Sequence, residues 1–146
     1  MLSQGSDILR ELLRVLVRSL GVLEKSDASC CCVTRTQCHA IAEIGRKEKI
    51  SLVDLADLLG VDKSTMSRTV NNLVETDLAV RDLDTENRRY VIIQLTKKGR
   101  IVFQNIEQSM ESYYKSIFGS IPEEKRDQVL ESLQLLTLAV KNNKCC

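Results

Sequence analysis

The chain has 146 residues, of which 43% are hydrophobic and 28% charged, with a net charge of +1. That size fits one domain whose core needs no disulfides, and no apolar run approaches the length of a bilayer span. Aromatic residues make up 3% of the chain and tryptophan is missing, which argues against a reader of single strands by base stacking and leaves double-stranded DNA as the better nucleic-acid partner.

The opening "MLSQGSDILRELLRVLVRSL" mixes acidic residues and arginines with its leucines, unlike a signal peptide. A cytoplasmic location with reduced thiols is therefore expected. From Ser6 to Glu24, apolar residues at Ile8, Leu9, Leu12, Leu13, Leu16, Val17, Leu20 and Leu23 follow helical spacing. Val15 and Val22 widen that stripe beyond one face, so the helix needs a partner. Thr34 with Gln37 three residues on reads as a capping box. It opens a second helix that ends near Gly45, a plausible C-cap.

Ser51 caps a short helix to Leu59, Gly60-Val61 turns, and Asp62 starts a further helix, "DKSTMSRTVNNLVETDL". Met66, Val70, Leu73 and Val74 form its inner face. Lys63, Ser64, Thr65, Ser67, Arg68 and Asn72 lie on the polar side. Two short helices joined by a tight Gly-containing turn form a helix-turn-helix signature. Two strands are expected next, Ala79–Leu83 and Tyr90–Leu95. The charged tip Asp84–Arg89 between them is a wing. Thr96 caps a long helix reaching Phe118, and Pro122 stands in the first turn of a last helix bearing Val129, Leu130, Leu133, Leu136 and Val140.

The stretch Asp54–Gly99 resembles the MarR family of winged-helix transcriptional regulators. It carries Leu-Ala-x-x-Leu, then Ser64-Thr65-x-Ser67-Arg68, an arginine pair Arg88-Arg89 in the wing, and Leu95-Thr96-x-x-Gly99. Asn87 stands where the family usually has an aspartate that orients the wing arginine. Either the wing is held more loosely, or Asn87 serves as a neutral acceptor. The resemblance implies a mainly α fold with a small β-hairpin, in which residues 33–99 form the winged helix-turn-helix DNA-binding region. Residues 1–32 and 100–146 supply the dimerisation helices of a single 1–146 domain. It also implies a homodimer, a pseudo-palindromic duplex operator, and repression relieved by an inducer.

On that reading Arg68 reads guanine, Arg89 with Arg88 as second choice enters the minor groove, and Ser64, Thr65 and Ser67 bond bases or phosphates. Lys63, Lys97, Lys98 and Arg100 would position the duplex through its phosphates. The competing reading makes these residues an ordinary solvated face, with Arg68 in a structural ion pair.

Six cysteines fall outside the family pattern: Cys30, Cys31, Cys32 and Cys38, with the tail pair Cys145 and Cys146. Cys38 can be a small core hydrophobe, and a lone surface histidine such as His39 is usually no ligand. The triple cysteine, expected in a loop, and the tail pair have no packing rationale. All-sulfur donors select soft centres, with trivalent arsenic first and zinc or copper behind it. In the implied dimer, the tail of one chain would approach the triple cysteine of the other. No resident cofactor is required; arsenite or a soft metal ion would be the inducer, at Cys30, Cys31, Cys32, Cys145 and Cys146, with Cys38 and His39 as lesser candidates. The rivals are cysteine oxidation and a phenolic ligand. Catalysis is not expected, since adjacent Cys38 and His39 diverge by about 100° on a helix.

Overall fold

A computed structural model describes residues 2–30 and 34–143. In chain order the elements are α1 (Leu2–Cys30), α2 (Arg35–Lys47), β1 (Ile50–Ser51), α3 (Leu52–Leu59), α4 (Lys63–Glu75), β2 (Ala79–Leu83), β3 (Val91–Leu95), α5 (Lys97–Ser120), a 3-10 turn (Glu123–Lys125) and α6 (Arg126–Asn142). The chain divides into two compact units, residues 1–107 and 108–146.

Local chemistry sets most boundaries in the first unit. The Thr34 hydroxyl accepts the Gln37 amide at 3.3 Å while the Gln37 side chain accepts the Thr34 amide at 3.0 Å, completing the expected capping box. Ser51 accepts the Asp54 amide at 3.0 Å and starts α3. Gly60 ends α3 at φ 65°, a left-handed geometry that suits glycine.

Gly45 is not the expected C-cap. It lies inside α2, where an added Cβ would come within 2.4 Å of the Phe103 ring. Its role is to let α5 approach, and Arg46 reinforces that contact by bonding Glu107 at 3.1 Å. The helix closes instead at Glu48, with φ 63°.

The sheet has three strands in the order β1-β3-β2, all antiparallel. The expected hairpin is present with Ala79 opposite Leu95 and Leu83 opposite Val91. Tyr90 falls just outside β3. The two-residue β1 was not anticipated; it sets Ile50 opposite Ile93. Along β3, Ile93 and Leu95 are buried while Ile92 and Gln94 are half-buried, the alternation a pleated strand imposes.

The largest fully buried side chains are Ile41, Ile44, Leu55, Met66, Val70, Leu73 and Ile93. Each contributes roughly 1.5–3 kcal/mol by burial. All fall within 33–99, so the core belongs to the segment expected to form the winged helix-turn-helix. Val74, expected inside, is 36% exposed, and Thr69 is buried in its place. The helix α4 also ends at Glu75, three residues earlier than expected, where Thr76 caps it and Asp77 turns at φ 60°.

The first helix runs Leu2–Cys30 rather than Ser6–Glu24. Cys30 is therefore its last residue and not part of a loop. In the second unit, Pro122 precedes a 3-10 turn instead of sitting in the first turn of α6, which starts at Arg126. Arg126 Nε donates to the carbonyls of Phe118 and Ile121 at 3.2 and 3.1 Å and lies 5.2 Å over the Phe118 ring, fixing that corner. No helix is long and apolar enough to cross a membrane among the described residues.

Candidate nucleic-acid interface

Asp62 begins this surface. Its carboxylate accepts the Thr65 amide at 3.1 Å and both the Ser64 and Thr65 hydroxyls. Those hydroxyl bonds, Ser64 first, push its pKa well below the usual carboxylate range. A depressed carboxylate supports the fold above its ordinary pKa and loses that support only as pH falls through the lower, folded value. At neutral pH it is anionic. The sequence marks Asp62 as a helix start; that it holds both hydroxyls is new, though Asp-x-Ser-Thr is a local pattern that signals it.

Beyond the cap, Lys63, Ser64, Arg68 and Asn72 are exposed on α4, with Thr65 and Ser67 half-buried, while Met66, Thr69, Val70 and Leu73 face the core. The inner face thus fixes which side of α4 is offered outward. Arg68 forms no ion pair among the described residues, so the competing structural role for it has no partner there.

In the wing, Asp84 accepts the Glu86 amide at 3.1 Å, and the Asn87 side-chain oxygen accepts the Arg89 amide at 3.2 Å. That bond is to the Arg89 backbone amide, so Asn87 shapes the turn at the tip. Arg88 and Arg89 are both exposed at the tip.

Two contacts tie the wing and α5 to α4. Arg81 of β2 donates to Asn71 of α4 at 2.5 Å. Lys98 donates to the Thr76 carbonyl at the end of α4 at 3.2 Å. Lys98, expected as a phosphate contact, thus has a structural bond in this structure. Arg81 escaped the sequence reading because its partner is set by tertiary packing. Lys97 and Arg100 are exposed.

The thiols are placed only in part. Cys38 and His39 are both half-buried on α2. Cys31, Cys32, Cys145 and Cys146 lie outside the described residues. Among the described residues no group of three or more His, Cys, Asp or Glu could hold a metal ion. An open cleft of about 820 Å³ lies beside the sheet, lined by Lys47, Lys49, Asp54, Asp82, Asp84 and Tyr90 among others. Three carboxylates against two ammonium groups make it a poor home for a phenolic anion.

Comparisons with known proteins agree with this geometry. The model of the MarR family matches residues 33–89. The HTH-type transcriptional regulator PchR of Bacillus subtilis is 26% identical over 105 residues, covering 70% of this chain and 62% of PchR. The aligned stretch thus spans less than two thirds of that relative. Streptococcus pneumoniae FabT, solved in complex with DNA, superposes with a TM-score of 0.82 at 20% identity, covering 93% of this chain and 97% of FabT. The crystal structure of MarR gives 0.74 at 27% identity, covering 92% and 91%. Helix-turn-helix, wing register and matched span lead to one conclusion: residues 33–89 match the MarR family, and the chain has the winged helix-turn-helix fold of the solved structures it resembles.

Proposed function

We propose that the protein is a homodimeric DNA-binding repressor, released from a pseudo-palindromic operator when a thiophilic ligand binds its clustered cysteines. The observation carrying the DNA half is the outward face of α4. There Arg68 stands exposed, without an ion pair among the described residues, and the same unit carries a two-arginine wing tip. A dimer would set two such helices in successive major grooves roughly 34 Å apart. Lys63, Lys97 and Arg100 would contact phosphates, and the protein would act in the cytoplasm.

Dimerisation is supported by helices that bury little. On α1, Leu12 and Val17 are 64% and 66% exposed; on α6, Leu135 and Leu138 are 63% and 57% exposed. No residue of α6 is buried. Apolar surface on this scale marks an interaction site, and residues 1–32 and 100–146 are assigned to it. Sedimentation at micromolar concentration should give a dimer, and Leu12→Glu with Val17→Glu should give a monomer. A stable, folded monomer of the unaltered chain would end this assignment.

The sensing half rests on thiol chemistry. Cys30 ends α1, and Cys31 and Cys32 follow it directly in sequence, so the triple cysteine begins on a helix assigned to dimerisation. Trivalent arsenic takes three sulfurs, and Cys145 or Cys146 of the tail would contribute where the triple alone does not suffice. A ligand needs only a few kcal/mol of differential affinity to shift most of a two-state population.

Changing Cys30, Cys31 and Cys32 to serine should leave operator affinity within about twofold of wild type and abolish release by arsenite. Cys145→Ser with Cys146→Ser then tells whether the tail supplies a ligand. Peroxide is the parallel arm, because an oxidant sensor would release DNA without arsenite and recover with dithiol. Release of the triple variant at the wild-type arsenite concentration would refute thiol sensing here.

A further inference from the structure

The first turn of α4 holds an arrangement that DNA contact alone does not explain. A helix N-terminus ordinarily attracts phosphate, since its free amides point outward and carry partial positive charge. Here the exposed Asp62 carboxylate occupies that position. One of its oxygens accepts the Ser64 hydroxyl and the Thr65 amide, the other the Thr65 hydroxyl. A hydroxyl has one proton and two lone pairs. With both protons directed at Asp62, Ser64 and Thr65 offer acceptors only.

Phosphate oxygens, guanine O6 and N7, and thymine O4 are also acceptors. None can pair with a hydroxyl held this way. In the major groove the donors are the N6 amino group of adenine and the N4 amino group of cytosine.

Resting on the reading that α4 faces DNA, we infer that Asp62 is a specificity-determining positioning residue: by holding the Ser64 and Thr65 hydroxyls as acceptors, it excludes phosphate from the head of the recognition helix and selects an amino-bearing base, adenine or cytosine, in each half-site. Its own charge acts in the same direction, since a carboxylate beside a phosphate is repelled. Arg68, one turn further along, is left to read guanine. The two ends of the contacting stretch then carry opposite hydrogen-bond polarity, which fixes the direction in which a half-site is read.

Selection of duplexes from a random pool, followed by affinity measurement at fixed salt, tests this with the full chain. Wild type should prefer adenine or cytosine at one position per half-site by roughly tenfold or more over guanine or thymine. Asp62→Asn and Asp62→Ser both keep a good helix cap but lack the charge that binds the hydroxyl protons. Each should bring that preference within about threefold and steepen the salt dependence by roughly one phosphate contact per half-site. In a Ser64→Ala, Thr65→Val background, Asp62→Asn should still raise general affinity yet leave base preference unchanged, a coupling that a mere charge effect would not produce.

The inference is overturned if the two Asp62 variants keep the wild-type preference, or if their effect on preference persists without the hydroxyls. Wild-type protein that selects no duplex, or an Arg68→Ala variant that binds as wild type does, would instead overturn the α4 reading and this inference with it.

Discussion

Arg68→Ala and Arg89→Ala should each reduce operator affinity roughly thirtyfold or more while leaving a folded dimer of unchanged thermal stability. A bidentate arginine–guanine pair contributes about 1–3 kcal/mol of discrimination. A dimer makes the contact twice, so about 2–6 kcal/mol is removed, and each 1.4 kcal/mol is a factor of ten. Stability should not follow, because substitutions of exposed residues away from structural bonds usually change it by less than about 0.5 kcal/mol. Arg89 should act differently from Arg68. Reading groove width rather than a base edge, it should matter most on operators with narrow A·T-rich flanks. Lys63→Ala is the contrast: removing an ammonium that pairs only with phosphate should weaken all duplexes alike and lower the salt slope by about one per half-site, or about two for the dimer. Fluorescence anisotropy at one fixed salt concentration separates these outcomes. Wild-type affinity in both arginine variants would remove α4 and the wing tip from the interface.

What the sequence reveals about this fold is what is decided within a few residues. Thr34 with Gln37, Ser51 with Asp54, and Thr96 with Gly99 are caps whose partners sit three positions away, so spacing alone finds them. The wing was equally readable from β-branched Val91–Ile93 beside a charged tip. Features set by distant partners were not. Gly45 looks like a helix stop until Phe103 is seen against it, and β1 is only two residues long, made a strand by Ile93. Arg81 reaches Asn71 for the same kind of reason. The candidate interface follows this division: the outward polar face with Ser64, Thr65 and Arg68 is proposed from motif order, whereas the hold of Asp62 on two hydroxyls required side-chain geometry. The cysteines stand apart, because their clustering is plain in the sequence while Cys31, Cys32, Cys145 and Cys146 lie outside the described residues.

Gly99→Ala should be strongly destabilising to the winged region, costing about 3–5 kcal/mol. A Cβ there would lie 1.9 Å from the Leu78 carbonyl oxygen and 2.9 Å from its carbon. Overpacking against side chains typically costs about 1–3 kcal/mol because rotamers can adjust. Here the obstacle is backbone, and that backbone is pinned. The Leu78 carbonyl accepts the Thr96 amide at 3.1 Å, and the Leu78 amide donates to the Leu73 carbonyl of α4 at 2.8 Å. Thr96 in turn donates its hydroxyl to the Asp77 carbonyl at 2.6 Å and accepts the Gly99 amide at 2.9 Å. Moving Leu78 away therefore breaks bonds at the end of α4 and at the start of α5 together. Gly60→Ala is the control: it has open space around the added carbon but φ of 65°, so only the backbone strain of about 1–2 kcal/mol should appear. At roughly 2–4 °C per kcal/mol for a chain of this size, Gly99→Ala should lower the unfolding midpoint by about 10 °C, roughly two to three times the effect at Gly60. Because the pinned turn also ends α4, the Gly99 variant should lose operator affinity below its midpoint, while Gly60→Ala retains it. Equal midpoints for the two variants would mean that Leu78 can yield, and that the Leu-Thr-x-x-Gly pattern does not hold the recognition helix.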